Sequence, residues 1–134
     1  MIKYIFLFIE IVLVPFLFVS CFLTGSNEIC FNEKELAIET CDKRSIIRRL
    51  EIKSENSFYS IKKSGNGSCR FYLFKDNIDY EIFGYRTSEL KILPYVKYTV
   101  YHKNKGDQRP GILEFELDSN YHLLHIKEDR FNGP

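Results

Sequence analysis

The residues of this chain that can do chemistry are 3 histidines, 4 cysteines and 18 carboxylates, and their spacing is the first question. His122 and His125 frame the segment "HLLH", which invites a metal ion. In a strand, however, residues three apart point to opposite faces, and no convincing helical period surrounds the pair. His102 ends an aromatic stretch and faces a polar loop. No HExxH, GxSxG, P-loop or GxGxxG segment occurs. Cys41 or Cys69 as a nucleophile would need a neighbouring base, and an oxidising compartment would consume the thiol. The carboxylates are scattered over alternating segments, and no two stand out as an acid–base couple. These residues predict a chain that is not an enzyme and carries no metal and no cofactor.

Cysteine chemistry of another kind is expected at Cys21. Lys3 gives a positive start, and residues 4–19 are almost wholly apolar, broken by Glu10 and Pro15. That length suits a signal-peptide core and is short of the roughly 20 residues of a bilayer span. The run ends in Val19-Ser20-Cys21 and resembles a bacterial lipoprotein signal. The resemblance implies cleavage before Cys21 and lipid on its thiol, which holds the chain on a membrane. Phe22 stands where an aspartate often retains such proteins at the inner membrane, so the resemblance implies a periplasmic, lipid-anchored protein of the outer membrane. Phe18, where leucine is usual, and Glu10 depart from the pattern. Ordinary cleavage and an uncleaved anchor are the other readings. The expected organisation is a signal peptide over 1–20, a short tether over 21–27 and one domain over 28–134.

A domain of that size benefits from a covalent staple. Cys30, Cys41 and Cys69 allow one bridge with one thiol left over. If "FNEKELAIET" makes a tight hairpin about Glu33-Lys34, Cys30 faces Ala37 or Ile38 and not Cys41. The expected bridge is therefore Cys30–Cys69, with three buried apolar thiols as the alternative.

The elements that must position these residues read as strands. "EICF" and "LAIET" open the domain. "SIIRRLEIKS" alternates Ile46, Arg48, Leu50 and Ile52. "SFYSIKK", "SGNGS" and "CRFYLF" together predict a hairpin, since glycine and asparagine tolerate positive φ. "DYEIFGY", "VKYTVYH", "GILEFELD" and "YHLLHIK" complete the set, with "KNKGDQRPG" as a polar hairpin loop. Short, closely spaced strands rich in β-branched and aromatic residues predict an all-β, antiparallel sandwich. The segment "LPYVKYTVYH" resembles the entry to the penultimate strand of immunoglobulin-like and fibronectin-like domains. The resemblance implies that Tyr98 packs inward and that its hydroxyl bonds the backbone at the corner.

Charge is nearly balanced, with 19 basic and 18 acidic residues, so no nucleic acid partner is expected. Lys43, Arg44, Arg48 and Arg49 form the most basic stretch, which reads either as a solvated edge strand or as a docking patch. Aromatic residues make up 16% of the chain. Phe71, Phe83 and Phe115 are expected in the core. The tyrosines at 80, 85, 95, 101 and 121 cannot all join them, and either cover sheet faces or serve recognition. Arginine and tyrosine dominate many interfaces, so Arg48, Arg49, Tyr85, Tyr95 and Tyr101 are the candidate partner-binding residues.

Taken in order, the "SNEICF" segment after Cys21, Phe83-Gly84-Tyr85 and Tyr98-Thr99-Val100-Tyr101 resemble the small periplasmic lipoproteins of the type VI secretion system immunity family. Cys69 lies well upstream of Phe83, and Cys41 is extra; both depart from that pattern. The resemblance implies a protein that binds a secreted antibacterial toxin and neutralises it by occlusion, a role that needs no catalytic group. The alternative is a lipid-anchored component of a cell-envelope or secretion assembly.

Overall fold

Alternation of apolar and polar residues decides the architecture, because a strand turns successive side chains to opposite faces. The computed structural model describes residues 27–84, 87–103 and 109–129. Nine strands form among them: β1 (Ile29–Asn32), β2 (Ala37–Thr40), β3 (Arg49–Lys53), β4 (Phe58–Lys63), β5 (Arg70–Tyr72), β6 (Tyr80–Gly84), β7 (Tyr98–His102), β8 (Gly111–Leu117) and β9 (Leu123–Glu128). In β7, Tyr98, Val100 and His102 are buried while Thr99 and Tyr101 are half-buried. In β8, Leu113, Phe115 and Leu117 point inward and Ile112, Glu114 and Glu116 outward.

The strands assemble into two antiparallel sheets, one of three strands in the order β1-β2-β5 and one of six in the order β6-β4-β3-β7-β8-β9. One core lies between them. Ile29, Ile38 and Phe71 enter it from the small sheet, and Leu50, Ile52, Ile61, Val100, Leu113 and Phe115 from the large one. Phe31 meets Phe115 at 5.1 Å between ring centroids, and Phe71 meets Tyr80 edge-on at 5.7 Å. Each such side chain contributes about 1.5–3 kcal/mol when fully removed from water.

The Tyr98 corner is present. The ring is buried against Phe115, and its hydroxyl accepts the Leu93 N–H at 2.9 Å. Burial pushes its phenol up from the ordinary tyrosine value.

Four expectations are corrected. The bridge joins Cys30 to Cys41, and Cys69 is a free thiol. The reason is turn length. Four residues, 33–36, reverse the chain, with Leu36 at φ 50° and the Asn32 side chain accepting the Glu35 N–H. Asn32 then stands across from Ala37, and Cys30 across from Glu39. That leaves Cys41 diagonal to Cys30, with Cα atoms 5.2 Å apart, inside the bridging range. Cys69 precedes Arg70, the partner of Glu39. It therefore stands level with Thr40, one residue out of phase with Cys30, and on the opposite face.

The segment after β4 is not a hairpin turn. β5 pairs with β2 in the other sheet, so residues 64–69 cross between layers. Gly67 takes φ 80° there. The buried Tyr80 hydroxyl holds the crossing: it accepts the Ser68 N–H at 2.9 Å and lies 2.7 Å from the Ile47 carbonyl. Phe83 is not in the core either; it is 52% exposed, because β6 turns Tyr80 and Ile82 inward and Glu81 and Phe83 outward. Finally, β3 is no edge strand, since β4 and β7 flank it on both sides.

Candidate binding surfaces

The outward face of the large sheet carries an interleaving of cations and rings. Lys53 of β3 places its ammonium 5.3 Å from the Phe58 ring centre on β4 and 5.2 Å from that of Tyr101 on β7. Lys62 lies 5.6 Å over Phe83 on β6. Glu51 sits between Arg49 at 3.7 Å and Lys53 at 3.9 Å. Exposed contacts of these kinds contribute up to about 1 kcal/mol each. They order the side chains and leave the outer faces of Phe58 and Phe83 in water.

The candidate partner-binding residues do not form one patch. Arg49 and Tyr101 share this outward face, because Glu51 pairs with Tyr101 and Arg49 lies two residues along the same strand. Arg48 precedes β3 at the end of the sheet, where its carbonyl accepts the Lys63 N–H. Tyr95 sits at the other end, at φ 60°, with its N–H on the Leu117 carbonyl and its hydroxyl 3.4 Å from that of Ser119. Tyr85 and the lipidation candidate Cys21 lie outside the described residues.

The two ends of the molecule differ in chemistry. At one end Asn27 enters, the 41–48 loop closes the small sheet, and β4 and β7 finish while β8 begins. Asn27 is buried there, although the sequence placed it in the tether. Its side-chain amide donates to the Arg109 carbonyl at 3.0 Å, and its own carbonyl lies 3.0 Å from Nδ1 of His102. His102 is thus a buried strut, not a group facing a polar loop, and Nδ1 must carry the proton to make that bond. Opposite, the turns at 33–36, 54–57 and 118–122 gather with the segment 87–97. All five exposed aromatics among the described residues, Phe58, Phe74, Phe83, Tyr95 and Tyr121, lie at this opposite end. Phe74 and Tyr121 touch, with centroids 4.6 Å apart. Sequence reasoning missed Phe58, Phe74 and Phe83. Each neighbours another apolar residue in its segment, so the alternation offers two phases and does not choose between them.

No family model, no curated protein and no solved structure matches the chain.

The three histidines do not converge on one point. His102 meets the Asn27 carbonyl, His122 lies 3.8 Å from Asp118, and His125 lies 2.7 Å from Glu114 on the outward face. The Asp118 carboxyl is held below its usual range by the His122 backbone N–H, which caps the β8–β9 turn. Cys30, Cys41 and Glu128 bring ligand atoms within 4.8 Å of one another. With the two sulfurs bonded to each other, neither supplies the thiolate that would bind a metal ion.

Proposed function

We propose that this chain is a lipid-anchored periplasmic immunity protein, which binds a secreted antibacterial toxin of the type VI secretion kind and neutralises it by occlusion. The observation that carries the reading is the gathering of five exposed aromatics at the end away from Asn27. Aromatic rings supply large contact area at low entropy cost, and they anchor interfaces when a partner dries them. A toxin seated on rigid turns at that end is blocked sterically, and the protein needs no catalytic group. The proposed anchor, Cys21, precedes Asn27 by six residues in the sequence, and it is Asn27 that marks the other end. The finer fold reading, an immunoglobulin-like or fibronectin-like sandwich, rests on the Tyr98 corner and on one core between two antiparallel sheets. The division into three and six strands differs from the four and three of immunoglobulin constant domains.

The test is survival of cells that express the neighbouring secreted protein in the periplasm, with and without this chain. The same pair is measured for affinity. Phe83→Ala and Tyr95→Ala should each weaken binding about thirty-fold, equivalent to about 2 kcal/mol, and reduce survival in proportion. A wild-type chain that neither binds nor protects would remove the immunity reading in favour of a role in an envelope assembly.

A further inference from the structure

We infer that the Asn27 end of the molecule is a membrane-contact surface whose partner is the anionic phospholipid headgroups of the bilayer. The inference rests on the proposed anchor at Cys21. It begins from where the chain leaves the domain. Asn27 is fixed by Arg109 and His102, and Gly111 packs so closely that a Cβ there would overlap the Asn27 carbonyl. Cys21 lies six residues earlier, a reach of at most about 20 Å. A lipid on Cys21 therefore keeps this end of the sandwich near the headgroups.

The chemistry of the end fits that neighbour. Three adjacent strands deliver cations to it. The Lys63 N–H donates to the Arg48 carbonyl at 3.0 Å, the Lys103 N–H donates to the Arg49 carbonyl at 3.3 Å, and Lys62 stands across from Arg49. Arg48, Lys63 and Lys103 form no ion pair among the described residues. Lys43 and Arg44 extend the cluster in the 41–48 loop. Of the acids nearby, Asp42 turns its carboxylate onto the Arg44 and Ser45 N–H groups and the Ser45 hydroxyl, and Asp129 holds Arg109 at 3.1 Å. Glu81 stands across from Lys62, Glu51 holds Arg49 at 3.7 Å, the Asp79 carbonyl accepts the Ser64 N–H beside Lys63, and Glu28, largely buried, and Glu128 also lie at this end. Ile46, exposed in the same loop, offers an apolar side chain to the headgroup boundary. No exposed aromatic lies at this end among the described residues. Clustered cations without aromatic anchors suit a diffuse anionic surface better than a protein hot spot. Each cation close to such a surface strengthens partition about five-fold, and salt screens the effect.

Lysine footprinting tests this. The processed, anchored chain is reconstituted into phosphatidylcholine vesicles with and without phosphatidylglycerol, acylated by a water-soluble ester, and mapped by mass spectrometry. Labelling of Lys63 and Lys103 should fall several-fold only where phosphatidylglycerol is present, and should recover at high salt. Lys91 and Lys97, at the far end, should label equally in both. Arg48→Glu together with Lys103→Glu should restore labelling of Lys63 with an unchanged urea midpoint. Equal labelling of Lys63 and Lys103 in the two vesicles overturns the inference. So does protection by added polyglutamate with none on phosphatidylglycerol, which would give the end to a soluble acidic partner. The mass of the mature N-terminus is read from the same sample. A missing lipid at Cys21, which fails the anchor, is thereby told apart from an unprotected basic end, which fails this inference.

Discussion

The Tyr98 hydroxyl and the Leu93 N–H it accepts form a bond whose loss is measurable in isolation. Tyr98→Phe keeps the ring on Phe115 and strands a part-buried donor, at a cost of about 1–3 kcal/mol. Tyr101→Phe, on the outward face, should change stability by less than about 0.5 kcal/mol. Urea midpoints with an unchanged m-value distinguish the two. Burial raises the phenol pKa values of both Tyr80 and Tyr98. Their stability contribution is whole below the unfolded-state pKa of about 10. It is lost as pH rises from there through the folded values, because the unfolded chain gives up its protons first. Tyr98→Phe should flatten that alkaline limb; an alkaline limb unchanged in Tyr98→Phe would refute the assignment. The cysteines make a second residue-scale case. The Cys30–Cys41 bridge closes a short loop worth about 3 kcal/mol in the chain-entropy model. Cys41→Ser should lose about that amount, and Cys69→Ser much less. Non-reducing peptide mapping that finds Cys69 bridged would overturn both expectations.

At the scale of elements, β8 was legible because Leu113, Phe115 and Leu117 alternate with Glu114 and Glu116, whereas β7 carries a tyrosine in each phase and only the resemblance at the corner put Tyr98 inward. The same rule failed for β6. "DYEIFGY" carries aromatic residues in both phases, and Tyr80 took the inward place assigned to Phe83. The turn signal of "SGNGS" was real but silent on destination, since the same residues serve a hairpin and a crossing between sheets. What settles the crossing is the Tyr80 hydroxyl on Ser68 and Ile47, contacts distant in sequence. The disulfide was misassigned for a similar reason: a turn of two residues and one of four differ by a register that composition does not encode. Of the candidate site, aromatic density was visible from sequence, but the sorting of exposed rings to one end and the gathering of Arg48, Lys62, Lys63 and Lys103 at the other depend on which strands neighbour each other. Gly111 shows how one such junction is held. Gly111→Ala drives a methyl into the Asn27 carbonyl, and should cost about 1–3 kcal/mol. Amide exchange should quicken most in β1 and at the start of β8, and uniform quickening across both sheets would contradict a local junction.

Across the whole molecule, two sheets on one core place Asn27 and the Arg48, Lys62, Lys63 and Lys103 cluster at one end and the exposed rings at the other. A molecule so arranged has one orientation that serves both proposed contacts at once. If Cys21 carries lipid, the proposed contact puts that cluster on the headgroups while the rings face away from the bilayer. The short tether matters to the first contact and not to the second, because effective concentration near the membrane falls as a flexible linker lengthens. Inserting a run of about twenty glycine and serine residues after Ser26 should therefore separate the two contacts. An r.m.s. span of about 25 Å would let the domain leave the headgroups between encounters. Affinity for the secreted toxin should be unchanged, since no residue of the aromatic end is touched. Protection of Lys63 and Lys103 on phosphatidylglycerol vesicles should drop towards that of the unanchored domain. If the lengthened tether instead abolishes neutralisation while affinity is retained, the toxin must be met at a fixed height above the membrane, and occlusion by binding alone is insufficient. Survival assays beside lysine footprinting on the same lengthened chain separate these outcomes.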